Sequence, residues 1–227
     1  SVELTATAEL GWSFSHWTGS LTSSENPATI TVTGDMSITA VFTQDQYTLT
    51  ISTEGSGTVS KNPDQTTYTY GTIVTLTATP NTGWVFSHWT GDLTGSVNPE
   101  LITMDGNKTV TAHFAELEYS LTVNIVGEGS VTKNPDQATY SHGTVVTLTA
   151  TANLGWEFSG WSGDLSGTDN PATITMDGNK TVTTTFTQNQ YTLTVNISGE
   201  GSVAKNPDQL TYTHGTQVTL TATPAVG

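Results

Sequence analysis

A phrase that recurs at one fixed step constrains this chain more than any other feature of its sequence. Leu4, Leu76, Leu148 and Leu220 lie 72 residues apart with no insertion or deletion between them, and Gly11, Gly83, Gly155 and Gly227 keep the same step. So do Trp12, Trp84 and Trp156, then Trp17, Trp89 and Trp161, the Asn-Pro pairs at Asn26, Asn98 and Asn170, and Phe42, Phe114 and Phe186. The other half of the unit repeats KNPDQ from Lys61, Lys133 and Lys205, and a tyrosine at Tyr68, Tyr140 and Tyr212. A strict period of this length marks a tandem array of one small unit.

The polar stretches TQDQ, AELE and TQNQ follow the phenylalanines and join two apolar alternations without carrying either. They divide the chain into 1–45, the C-terminal part of a repeat; 46–117 and 118–189, two complete repeats; and 190–227, the N-terminal part of another. Both ends fall inside the unit, so the expectation is a longer natural chain.

Within a unit the apolar period is two. Tyr119, Leu121, Val123 and Ile125 alternate with threonine or asparagine, as do Val146, Leu148 and Ala150, and Val182 through Phe186. That is the pattern of half-buried strands, read here as antiparallel. Pro63, Pro135 and Pro207 followed by Asp suggest turns with proline at the first central position, and DGN at Asp105 and Asp177 suggests a tight hairpin. Gly127 and Gly129 suggest another. The expectation is an all-β array with about six strands per 72-residue module, β-grasp-like or a small β-sandwich, and no substantial helix. The aromatic residues Trp12, Trp17, Trp84, Phe86, Trp89, Phe114, Trp156, Phe158, Trp161 and Phe186 are the expected core. Their crowding into one segment of each unit reads as core rather than as a sugar-stacking platform.

Charge narrows the partners. Twenty acids face five lysines and no arginine, a formal net charge of −15. A phosphate backbone needs clustered cations, so nucleic acid is excluded as a partner. No apolar run approaches the roughly 18 residues of a membrane helix, so no membrane insertion is expected in this segment. The chain has no cysteine, hence no disulfide and no thiolate metal site.

Chemistry that every module needs must recur at the 72-residue step, and most candidates fail that test. His16 and His88 become Gly160, His142 and His214 become Tyr70, and His113 aligns with Val41 and Thr185. Only the aspartate of NPDQ recurs in every copy, as Asp64, Asp136 and Asp208, where a turn favours it. No catalytic residue and no cofactor are expected, and the chain reads as a non-enzyme. The one weak metal candidate is calcium at Asp164, Asp169 and Asn170, three hard oxygen ligands in one loop. Sequons at Asn107, Asn179 and Asn196 are candidate glycosylation sites.

The stretch GEGSVTKNPDQATYSHGTVVTLTATANLGWEFSGWSGDLSGTDNPATITMDGNKTVTTTF resembles the divergent internalin B-type repeat, a repeat domain of secreted and cell-surface proteins, and the likeness covers the whole chain. The resemblance implies a small β-rich module, an extracellular or cell-surface location, and no catalytic site. The resulting expectation is a structural or interaction segment of a long tandem-repeat protein: a surface stalk, adhesin spacer or fibre. Its partners would be neighbouring repeats or like chains. The rivals are a filament subunit that completes half-repeats between chains, and an adhesin module that grips glycan or a host or cell-surface protein.

Overall fold

A computed structural model describes residues 1–226, which contain strands and no helix. Residues 1–45 supply β1 (Val2–Leu4), β2 (Trp12–Gly19), β3 (Ala28–Ile30) and β4 (Ile38–Gln44). The first complete repeat supplies β5 (Gln46–Tyr47), β6 (Leu49–Glu54), β7 (Gly57–Asn62), β8 (Tyr68–Thr69), β9 (Thr72–Pro80), β10 (Trp84–Gly91), β11 (Glu100–Met104) and β12 (Lys108–Glu116). The second repeats them as β13 (Glu118–Tyr119), β14 (Leu121–Val126), β15 (Gly129–Asn134), β16 (Tyr140–Ser141), β17 (Thr144–Ala152), β18 (Trp156–Gly163), β19 (Ala172–Met176) and β20 (Lys180–Gln188). The last part holds β21 (Gln190–Tyr191), β22 (Gly201–Asn206), β23 (Tyr212–Thr213) and β24 (Thr219–Pro224). The chain forms two compact units, Ser1–Glu116 and Leu117–Gly227, so each holds one complete repeat and one part.

Each complete repeat is a sandwich of two three-stranded sheets, with strand orders β10-β12-β6 and β11-β9-β7 in the first and β14-β20-β18 and β15-β17-β19 in the second. Both expected hairpins are absent. Gly127 and its surroundings carry the chain from β14 to β15, which belong to different sheets, and the DGN segment carries it from β11 in one sheet to β12 in the other. In each complete repeat one pair of successive long strands shares a sheet, β7 with β9 and β15 with β17, paired antiparallel across the NPDQ loop. The six Asn-Pro peptides are cis.

The pairing is also not wholly antiparallel. β6 runs parallel to β12, from Leu49 opposite Lys108 to Glu54 opposite His113, and β14 runs parallel to β20 in the same register. The first long strand of a repeat is thus closed against its last. Gly55 makes the turn after β6 possible: it has φ +83°, and a Cβ there would strike the Phe114 carbonyl.

Alternation places Val74, Leu76 and Ala78 of β9, Ile102 and Met104 of β11, and Val110, Ala112 and Phe114 of β12 between the sheets. Trp89 would lie on the opposite face from Trp84 and Phe86 in a regular strand, since side chains alternate. A bulge between Phe86 and His88 inserts one residue against β12 and turns Trp89 inward, where it is 1% exposed and its ring lies 4.9 Å from that of Phe86. The same bulge occurs between Phe158 and Gly160 and between Phe14 and His16. Trp17, Phe114, Trp161 and Phe186 are buried; Trp84, Phe86, Trp156 and Phe158 are partly buried against the two cores. Each large side chain taken out of water contributes about 1.5–3 kcal/mol. Trp12 departs from the core expectation at 44% exposed.

Among the described residues, Thr184 is the one buried polar side chain inside a core. It occupies the position of Ala112, is fully buried, and its hydroxyl has no hydrogen-bond partner. An unpaired buried hydroxyl costs about 1–3 kcal/mol. Thr184→Val, which keeps the shape and removes the hydroxyl, is expected to raise the stability of the second complete repeat by about 1 kcal/mol in chemical denaturation. A loss of the same size would contradict this account of the site.

Candidate functional site

Charge sits on the turns, and the cations are already engaged there. Lys61, Lys133 and Lys205 each contact the aspartate three residues on, Asp64, Asp136 and Asp208, at 3.0 Å. Lys108 and Lys180 contact the aspartate three residues back, Asp105 at 2.5 Å and Asp177 at 2.6 Å. These pairs account for every lysine in the chain. Hydrogen bonds from Lys108 and Lys180, reinforced by their charge, hold Asp105 and Asp177 below the usual carboxylate value of 3.8. The same bonds hold the lysines above their usual 10.5. Every lysine is thus paired with an aspartate of its own turn.

Asp164 Oδ2 accepts the Thr181 amide at 2.6 Å, and the Asp169 carbonyl accepts the Trp161 indole N–H at 2.9 Å. Asn170 accepts from the Ala150 amide through Oδ1 at 2.9 Å and donates to the Ala150 carbonyl through Nδ2 at 2.8 Å. Among the described residues, no three His, Cys, Asp or Glu side chains are arranged to hold a metal ion. His88 and His113 stack at 4.4 Å between ring centroids, with His113 Nδ1 3.1 Å from Glu54 and Nε2 2.8 Å from Thr90 Oγ1, but Gly160 and Thr185 stand in their places in the second complete repeat. Asn107 and Asn179 are exposed at the turns before β12 and β20, and Asn196 is exposed before β22.

Two recurring devices escaped the motif reading. One is the asparagine of the Asn-Pro pair that follows the aromatic strand of each repeat. Asn26, Asn98 and Asn170 each pair side-chain amide to backbone with an alanine, Ala6, Ala78 and Ala150, and so extend the ladder of that strand by one rung. Its signal was the recurrence of Asn at the repeat step in a loop that otherwise varies. The second is the joint between successive repeats.

In the first unit β4 passes into β5 through the single residue Asp45, whose N–H donates to the Gly11 carbonyl at 2.8 Å. β5 pairs with β8, and Tyr70 just beyond β8 lies on Gly11, which is buried at φ +79° with no room for a Cβ against that ring. In the second unit Asn189 replaces Asp45 and donates to Gly155 at 2.8 Å, while His214 takes the place of Tyr70 over Gly155, φ +81°. The four-residue polar stretch is therefore mostly strand, with one connecting residue in each of these joints.

Two outcomes check these assignments. Asn170→Ala is expected to cost about 2 kcal/mol, two partly buried hydrogen bonds, and to cost the same in calcium as in EDTA; dependence on calcium would make Asn170 a ligand instead. Asp105 and Asp177 have depressed folded values, so their contribution is full above the usual carboxylate range and is lost as pH falls through the lower folded values. Asp105→Asn with Asp177→Asn is therefore expected to lower the melting temperature near neutrality and to flatten its fall below about pH 4. An acid limb unchanged by the double substitution would show that these pairs do not contribute.

A search of curated proteins finds no match to the chain. The divergent InlB B-repeat domain matches residues 1–46, 47–118, 119–190 and 191–227, which is the entire chain. Repeats of this kind generally occur in surface or secreted proteins, and the family is in general non-catalytic. With its 72-residue step, two-sheet modules and repeated joints, the chain belongs to the divergent InlB B-repeat family.

Proposed function

We propose that this segment is a structural spacer, a stalk or fibre element of an extracellular tandem-repeat protein, and that it acts through geometry rather than through a bound ligand or reaction. The supporting observation is the joint. One connecting residue, a backbone hydrogen bond to a buried glycine, and a ring seated on that glycine recur within each unit with different residues, Asp45 and Tyr70 in one, Asn189 and His214 in the other. A flexible linker would need several free residues. Here the chain leaves one repeat as strand and enters the next as strand, so rotation between them is restricted and length follows copy number.

An adhesin module that grips sugar would be expected to present aromatic faces. Trp17, Trp89 and Trp161 are instead buried and donate their indole N–H to loop carbonyls, and Trp12 alone of the six tryptophans is exposed, at 44%. Engaged lysines and an acidic excess also favour a surface that adheres weakly to other surfaces of the same sign.

Gly155→Ala tests the spacer reading. A Cβ there meets the His214 ring at a backbone angle that costs an L-residue about 1–2 kcal/mol. The expected outcome is loosening at the third-to-fourth repeat joint: slower transverse backbone relaxation by NMR for residues 190–226 relative to 118–188, with the core of the second complete repeat unchanged. Equal mobility in variant and parent would count against a rigid joint.

A further inference from the structure

We propose that each complete repeat is a tension-bearing element, with its first and last long strands forming a clamp that is loaded in shear when the chain is pulled from its ends. This deepens the spacer reading and rests on it for biological context, but its physical basis is separate. β6 and β12 are parallel and in register over six residue pairs, Leu49 with Lys108 through Glu54 with His113. The chain enters the repeat at the Leu49 end of β6 and leaves it at the Glu116 end of β12, which lies at the opposite end of the same strand pair. A pull along the chain therefore slides one strand along the other. All the rungs between them carry the load together, whereas an antiparallel hairpin of entry and exit strands would open one rung at a time. β14 and β20 repeat the arrangement from Leu121 with Lys180 to Val126 with Thr185.

The entry end of the clamp is reinforced by side chains. The Lys108 N–H donates to the Thr48 carbonyl at 2.9 Å, and Asn107 Oδ1 accepts from the Thr48 amide at 2.9 Å and its hydroxyl at 3.2 Å. Ser120, Asn179 and Lys180 make the same three bonds at 2.9, 2.9 and 3.2 Å in the second repeat. The DGN motif is therefore a latch: Asp105 fixes Lys108, and Asn107 fixes the residue before β6. At the other end, Gly55 lies against the Phe114 carbonyl and Gly57 against the Phe114 ring, so the turn after β6 is pinned to β12 as well. The clamp is built from local chemistry at both ends.

The test is single-molecule pulling of the 227-residue chain in two geometries. Handles at the two ends load β6–β12 and β14–β20 in shear. Cysteine handles at Thr50→Cys and Thr109→Cys, which are exposed register partners in a chain without native cysteine, peel β6 from β12 sideways. The expected result is two equal high-force events under end pulling, each releasing roughly 250 Å of chain less the folded span of a 72-residue repeat, and a several-fold lower force for the sideways pull. Asn107→Ala with Asn179→Ala is expected to lower the end-pulled force, while Asn98→Ala with Asn170→Ala, a similar loss of hydrogen bonds away from the clamp, leaves it close to the parent value. Equal forces in the two geometries, gradual extension without discrete events, or equal losses from the two asparagine pairs would overturn the proposal. None of those results bears on joint rigidity, and a mobile joint would leave the clamp intact.

Discussion

Closure of the first long strand against the last is the interaction on which the rest of each repeat depends. A module of 72 residues with no disulfide and no helix is near the size at which a single core suffices, and it gains stability only if few residues are left at loose ends. Pairing β6 with β12 makes the middle strand of one sheet, β12, the organiser of the fold: it holds β6 on one side and β10 on the other. Its inward residues Val110, Ala112 and Phe114 then meet Val74, Leu76 and Ala78 of β9, the middle strand of the facing sheet. The repeat is thus two central strands packed face to face, with four outer strands completing them.

The same economy governs the connections. Because almost every long strand is followed by one in the other sheet, the turns have to cross the sandwich rather than reverse within a sheet, and they are held by side chains that would be free in an ordinary hairpin. Asn98 bonds Ala78 and Trp89 holds the Val97 carbonyl, while in the loop that stays within one sheet, between β7 and β9, the buried Tyr68 hydroxyl donates to the Pro63 carbonyl and accepts the Gln65 amide. The lysines are spent in the same way on aspartates of their own turns.

Much of this was legible in the sequence. The step of 72 residues and the period-two alternation carried the array and its all-β character, and of the ten aromatic residues expected in the core five are buried, Trp17, Trp89, Phe114, Trp161 and Phe186. Which strands pair was not legible, because alternation reports which face is buried and is silent on direction and neighbour. DGN and the paired glycines look like hairpin turns whether the chain reverses within a sheet or crosses between two, and only the positions of β11, β12, β14 and β15 decide it. Trp89 was placed in the core by its crowding with Trp84 and Phe86, although strict alternation would have put it outside; the bulge after Phe86 resolves that conflict. The joint was hidden because its parts, a glycine, one connecting residue and a ring, are ordinary by themselves and meaningful only through contact.

Native-state hydrogen exchange of the β6 and β14 amides is the most direct measure of strand closure. If closure of first strand on last holds each repeat together, the amides of these edge strands that bond to β12 and β20 will exchange only when the whole repeat unfolds, with the same free energy as amides of the central strands β9 and β17. Exchange of β6 and β14 at a much lower free energy than β9 and β17, through local detachment of the edge strand, would contradict the account.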